Sequence, residues 1–171
     1  MKANYLFALA FIAMLFMACS AEEMDPVSET AALELNDGTT KAVTRPFKVR
    51  GSGSFEVVAP TECVNLTQIN ISGEGNATHL GRFDVEITYC TDFMYTHILT
   101  GTQTAANGDK LNFYSVGFGV DEQGEWTDYV YDGGTGRFEF ATGELRLYGV
   151  STFTGPTTGV YTNHGTGTLT Y

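Results

Sequence analysis

The feature that most constrains the fold is a strict alternation of apolar and polar residues that begins at Phe47. In residues 47–57 and again in residues 82–89, every second side chain is apolar or is a glycine. Such alternation is typical of a β-sheet with one buried face and one face in water. The pattern therefore predicts strands, and no segment after Phe47 has a long helical pattern.

Further strand-like runs follow, separated by turn sequences such as Asn107-Gly108-Asp109 and Gly155-Pro156. Together with residues 47–57 they give about eight strands, the others being residues 68–74, 82–89, 95–105, 110–120, 125–131, 144–154 and 158–171. Short strands at this spacing predict a sandwich or a closed barrel. Many strand glycines favour the barrel, because strongly coiled strands need bends that glycine permits.

Four motifs rich in Gly and Thr occur in this region: Ala77-Thr78-His79-Leu80-Gly81-Arg82-Phe83, Thr104-Ala105-Ala106-Asn107-Gly108-Asp109, Gly133-Gly134-Thr135-Gly136-Arg137-Phe138 with Ala141-Thr142-Gly143, and Gly165-Thr166-Gly167-Thr168-Leu169-Thr170-Tyr171. In this order they resemble secreted bacterial domains of the allene oxide cyclase-like barrel, related in shape to plant dirigent proteins. The resemblance implies an all-β, calycin-like domain, an eight-stranded antiparallel barrel over residues 47–171. It implies no cyclase activity, because that enzyme's catalytic residues match no positions here.

The N-terminal segment predicts export and lipid attachment. Its apolar run, residues 6–17, is too short for a spanning helix, which needs about 20 apolar residues. Residues 16–19, Phe-Met-Ala-Cys, resemble the lipobox of bacterial lipoproteins, in which the cysteine, here Cys19, receives a diacylglyceryl group and becomes the new N-terminus. An ordinary secretory signal cut near Ala18 or Ala21 is the alternative.

The chain thus divides into a signal peptide (residues 1–18), an acidic flexible tether (19–46) and the barrel (47–171). The tether has scattered acids and no aromatic residue, so it cannot bury enough apolar surface to order itself. Its first acids resemble the export signal of lipoproteins displayed on the cell surface. We therefore expect a lipid-anchored protein of the bacterial outer membrane.

The net negative charge of the chain argues against some classes of binding partner. Without residues 1–18 the chain has eight basic and twenty acidic groups, and so a formal charge of −12. Such a surface is repelled by phosphate backbones and anionic headgroups, which argues against a nucleic-acid partner. Membrane attachment must then come from the lipid on Cys19.

Cys63 and Cys90 predict a disulfide, as expected for an exported cysteine pair. Their midpoint falls in a predicted turn at residues 75–78, so they would face each other across an antiparallel hairpin. Two unpaired buried thiols are the alternative. No His or further Cys stands at ligand spacing from either, so no metal site is expected.

The candidate ligand-binding residues are His97 on the fourth strand and Trp126, Tyr129 and Tyr131 on the sixth. The sixth strand has Trp126 and two aspartates on one face and both tyrosines on the other. If the aspartates face inward, they form a polar pocket with raised pKa values and acid–base potential. If they face outward, the tyrosines point inward, which is favoured because Asp is rarely buried unpaired.

No catalytic constellation is evident. His79, His97 and His164 lack metal-ligand spacing, and neither a Gly-x-Ser-x-Gly elbow nor a phosphate-binding loop is present. We expect neither metal nor cofactor, and the catalytic residues are unknown. Three functions stay open: a barrel that binds or presents a small apolar or aromatic ligand, a cyclase- or isomerase-like enzyme, and a structural or adhesive envelope lipoprotein. The balance leans away from an enzyme.

The fifth and seventh strands are apolar on both faces. Leu111 and Phe113 lie opposite Tyr114, Val116 and Phe118 on the fifth strand. Because a closed barrel buries only one face of each strand, the other needs a cover. We expect a homo-oligomer through the outer face of these two strands, or a monomer whose tether folds over it.

Overall fold

The computed structural model describes residues 42–171, apart from the side chains of residues 97 and 98. Eight antiparallel strands form a closed barrel in chain order, with β8 pairing back to β1. The strands are β1 Thr44–Val58, β2 Thr67–Ala77, β3 Gly81–Thr91, β4 Thr96–Ala105, β5 Lys110–Asp121, β6 Gly124–Gly134, β7 Thr142–Phe153 and β8 Thr158–Thr170, with a 3₁₀ helix, Gly136–Phe138, between β6 and β7. The predicted fold class is confirmed.

The first strand begins earlier than the alternation indicates. Residues 44–46 continue the ladder with β8, so β1 starts within the segment expected to be tether. The expected signal peptide, Cys19 and the tether up to residue 41 lie outside the described residues. Within residues 42–171 no helix is long and apolar enough to cross a membrane.

Alternating side chains fill the interior as the sequence pattern predicts. On β1, Phe47, Val49 and Phe55 are buried, while the residues between them are exposed or half-buried. Phe83 and Val85 do the same on β3. An eight-stranded barrel is just wide enough for such side chains or for one small ligand.

The two ends of the barrel differ. At the end where β1 begins and β8 ends, the 3₁₀ helix turns Phe138 inward beside the Tyr171 ring, 5.2 Å between centroids. Phe138, Phe47 and Leu169 have no exposed surface there. We call this the closed end. The opposite end, where the β1–β2, β3–β4, β5–β6 and β7–β8 connections lie, is the mouth.

Inward-facing glycines make room for aromatic rings. A Cβ on Gly73 would overlap the hydroxyl of Tyr161, and one on Gly75 would lie 2.5 Å from the Phe83 ring. These rings therefore lie directly over the backbone of a neighbouring strand. The glycines allow large side chains inside a narrow barrel, in addition to easing its curvature.

Cys63 and Cys90 form the predicted disulfide. The prediction that they face each other across the β2–β3 hairpin is wrong. The strand β2 continues through Ala77, so the turn to β3 falls at residues 78–80 rather than 75–78. In this register Cys90 pairs with Gln68 instead of with Cys63. The sulfur of Cys63 reaches Cys90 from the β1–β2 connection.

That connection, residues 59–66, lies against the outside of the sheet. The Gln68 side-chain oxygen accepts hydrogen bonds from the backbone N–H groups of Thr61 and Glu62, at 2.8 and 3.0 Å. Together with the disulfide, this amide attaches the connection to β2 and β3 near the mouth.

A β-bulge in β5 changes which of its side chains share a face. The register with β6 shifts between Ser115 and Gly117, so Phe118 pairs with Thr127, an interior position. Directly opposite residues of an antiparallel pair point to the same side. The outer apolar surface expected on β5 therefore keeps Tyr114 but not Phe118.

Candidate functional site

Below the mouth, the barrel interior contains a chamber of about 210 Å³ that opens to solvent. Most of its wall is apolar or aromatic, formed by Phe55, Ile71, Ile87, Tyr89, Leu99, Tyr129, Leu147 and Tyr161. A cavity of about 30 Å³ lies deeper, against Gln103 and Tyr131. The chamber and this cavity share wall residues, among them Tyr161 and Asn163, so together they form one site that narrows inward.

Three polar atoms of this site have no hydrogen-bond partner within the described part of the chain. They are Oε1 of Gln103, the hydroxyl of Tyr161 and Oδ1 of Asn163. Gln103 is only 5% exposed and Tyr161 only 9%. An unpaired buried polar group costs about 1–3 kcal/mol, so such groups call for an explanation. Tyr161 and Asn163 line the chamber and Gln103 lines the deeper cavity, so a ligand in this site would meet these polar side chains.

The interior tyrosines carry no charge at neutral pH. Burial raises the pKa of the Tyr129 and Tyr131 hydroxyls, and it outweighs the opposing hydrogen bonds with Thr127 and Gln103. Burial also raises the pKa of Tyr161 to about 12. These phenols therefore offer hydrogen bonds and ring faces to a ligand, but no negative charge.

The structure separates the four residues predicted to bind a ligand. Tyr129 and Tyr131 are buried in the interior, whereas Trp126 lies on the outer face of β6. His97 belongs to β4, and its side chain lies outside the described residues. Of the two arrangements considered for the sixth strand, the one with tyrosines inside and aspartates outside is found.

Trp126 is part of an ordered cluster on the outside of the barrel. The Arg146 guanidinium lies 4.0 Å from the centre of the Trp126 ring and donates two hydrogen bonds of 2.7 Å to Asp128. These hydrogen bonds hold the pKa of Asp128 below its usual value. The indole thus packs against Arg146 and takes no part in the chamber.

The two histidines with described side chains also lie away from the chamber walls. His79 is in the β2–β3 turn at the closed end, with Nε2 3.2 Å from the Pro46 carbonyl oxygen. His164 stacks on Tyr148 on the outer face. Among the described side chains of residues 42–171, which exclude that of His97, no group of three or more His, Cys, Asp or Glu could hold a metal ion.

A larger depression, about 1000 Å³, lies on the outer surface across β1 to β5. Short polar side chains such as Asn70, Ser72 and Asn112 line it and are open to water. It offers little apolar enclosure. The smaller chamber is the better candidate, because binding sites combine apolar walls with a few placed polar groups.

Gln103, Tyr161 and Asn163 were missed by the sequence analysis. On β8 every second residue from Tyr161 to Leu169 faces inward, and Asn163 is the polar exception. Gln103 is likewise a polar residue at an inward position, between Gly101 and Ala105. A polar residue at an inward-facing position of a strand was therefore the sequence signal that could have revealed Asn163 and Gln103.

Comparison with known proteins adds little chemistry. No family model matches the chain, and no curated protein matches it. Among solved structures, the chain is similar to the pterocarpan synthase dirigent protein GePTS1, with 12% sequence identity and a TM-score of 0.49, over 75% of this chain and 86% of that one. At this level of similarity, the comparison assigns neither a family nor a reaction to this chain.

Proposed function

We propose that this protein binds a small, largely apolar ligand in the chamber below the mouth of the barrel. The observation that carries the proposal is an aromatic chamber that, together with the cavity below it, is lined by three residues with buried polar atoms that have no described partner. Apolar walls supply affinity and a few polar groups orient the ligand. At about 210 Å³ the chamber is smaller than the roughly 300–1,000 Å³ typical of drug-sized ligands, so the ligand is small.

The chamber lining favours binding over acid–base catalysis. Burial raises the pKa of two tyrosines in this lining, Tyr129 and Tyr161, the latter to about 12. An efficient general acid or base has a pKa near the working pH. A cyclase- or isomerase-like reaction therefore has less support than binding, and an open chamber argues against a purely structural barrel.

We also propose that a lipid on Cys19 anchors the protein at the outer membrane with the mouth facing away from the bilayer. Two observations support this orientation. The first strand begins at the closed end, at Thr44. The seven described Lys and Arg residues all lie nearer the closed end, while five acids besides Asp92 lie at the mouth, which anionic headgroups would repel.

Growth with radioactive palmitate tests the anchor. The wild type should be labelled and pellet with membranes, and Cys19→Ala should be unlabelled and soluble, with an unchanged barrel circular dichroism spectrum. A wild type that is soluble and unlabelled would defeat the lipoprotein proposal without affecting the chamber.

Native mass spectrometry of the protein purified from its own host tests ligand binding. The expected spectrum shows a mass above that of the lipidated chain, which organic solvent releases. Thr127→Trp, which fills the chamber, should lose this mass. Thr168→Trp, which places the same ring on the outer face, should retain it. A wild type with no excess mass, or an excess that Thr127→Trp retains, would contradict the proposal.

A further inference from the structure

Charge is distributed unevenly along the barrel axis. Besides Asp92, which interacts with another group of the chain, five acids lie in a mouth connection or within two residues of the mouth end of a strand: Glu56, Glu62, Asp121, Glu122 and Glu125. No Lys or Arg of residues 42–171 lies there. A field of one sign around an opening raises the local concentration of ligands of the opposite sign and repels anions. The mouth therefore attracts cations.

One of these acids belongs to the chamber itself. Glu125, the second residue of β6, lines the chamber together with Thr127 and Tyr129, which follow it on the same face of the strand. Its side chain is exposed at the rim, so the carboxylate stays hydrated. A cation in the chamber would have an anionic partner at its opening.

The chamber walls suit a cation as well. Phe55, Tyr89, Tyr129 and Tyr161 all line the chamber. The face of an aromatic ring carries negative charge and attracts ammonium groups, and aromatic enclosures recognise such cations. Because the chamber opens to solvent, a bound ammonium group is not stripped of all its water.

The unpartnered atoms are hydrogen-bond acceptors. Oδ1 of Asn163 can only accept, and so can Oε1 of Gln103, while the hydroxyl of Tyr161 can do either. An ammonium group has three donors and no acceptor. Tyr161 and Asn163 line the chamber, and Tyr161 is more than nine-tenths buried. The buried acceptors point to a donor-rich ligand independently of the acids at the mouth.

We infer that the chamber binds a small organic cation, an aromatic or aliphatic amine in its protonated form. This inference rests on the proposed binding function and specifies its ligand class. An alcohol of the same shape could satisfy the acceptors but, being neutral, would gain no charge attraction from Glu125 or the mouth field. A carboxylate would be repelled and would leave the acceptors unpaired.

Calorimetric titration with phenethylamine, phenethyl alcohol and phenylacetate tests the inference, because the three probes share a ring and differ in charge. Phenethylamine should bind about tenfold more tightly than the alcohol, as expected for a partly hydrated cation beside aromatic faces and one carboxylate. Phenylacetate should bind most weakly. Glu125→Gln should reduce the preference for the amine about threefold to tenfold, because it weakens amine binding more than alcohol binding.

Two control variants test whether the amine binds inside the chamber. Thr127→Trp should abolish binding of the amine, whereas Glu62→Gln, at a mouth acid outside the chamber wall, should leave most of it. Amine binding that survives Thr127→Trp would lie on the outer surface and would overturn the inference.

The outcomes separate this inference from the proposed function. Phenethyl alcohol or phenylacetate could bind as tightly as phenethylamine, with Thr127→Trp blocking this binding. In that case the barrel binds ligands but the cation inference is wrong. The same holds if no probe binds while native mass spectrometry shows a retained compound. If no probe binds and no compound is retained, both proposals fail.

Discussion

At the scale of single residues, glycine and tyrosine together determine the shape of the interior. Large rings such as Tyr161 fit because the strand they cross carries glycine at the contact. Where a glycine has room for a methyl group, as at Gly149, an added Cβ would make ordinary van der Waals contact, with the nearest heavy atom 3.7 Å away. The sequence shows all these glycines alike, and only the strand register distinguishes the crowded ones.

Replacing Gly73 with alanine should therefore destabilise the barrel. The new methyl group would overlap the Tyr161 hydroxyl and the Ser52 carbonyl oxygen, and overpacking of this kind costs about 1–3 kcal/mol. Gly149→Ala, also within a strand, should be neutral or slightly stabilising. Urea unfolding of both variants measures the difference, and equal midpoints would contradict the account of the interior.

The interior tyrosines predict a loss of stability at alkaline pH. Their pKa values are raised in the folded state, to about 12 for Tyr161, above the unfolded value of about 10. Their contribution is complete below about pH 10 and is lost as the pH rises towards the folded pKa, at up to about 1.4 kcal/mol per pH unit for each group. Urea midpoints measured across this range should fall, and less steeply for Tyr161→Phe. A flat profile would contradict the burial of these phenols.

At the scale of elements, the strands and most of their turns were predictable, but two details of strand pairing were not. The alternation places Phe47 and Phe83 inside from the sequence alone, because a period of two needs no tertiary information. The length of the β2–β3 hairpin and the bulge in β5 depend on pairing between strands, which a single strand's pattern does not encode. For that reason the disulfide was predicted with the wrong partner positions and Phe118 with the wrong face.

The 3₁₀ helix between β6 and β7 acts as the plug of the closed end. Phe138 has no exposed surface, whereas Phe140, two residues on, is 85% exposed. Phe138→Ala should cost about 3–5 kcal/mol through loss of burial and the cavity it leaves. Phe140→Ala, the matched control, should change the free energy of unfolding by less than about 0.5 kcal/mol. Similar losses from both variants in chemical unfolding would show that the helix is not the plug.

At the scale of the whole molecule, the two ends of the barrel differ both in charge and in structure. One end is filled and carries the basic residues, and the other is open and acidic. The sequence reveals a net charge of −11 but not its segregation, because residues far apart in the chain meet at each end only after the barrel closes. The chamber was unpredictable for the same reason, since its walls come from seven strands.

The measurement that tests the account most directly is the nuclear Overhauser contact map of a small aromatic probe on the barrel. Phenethylamine and phenethyl alcohol are both used, so the result does not depend on the charge of the ligand. The account predicts contacts from the tighter probe to the ring protons of Tyr129 and Tyr161 in the chamber, and none to Trp126 on the outer face. Contacts confined to Trp126 or Tyr114, or the absence of any contact with the interior tyrosines, would contradict a binding site inside the barrel.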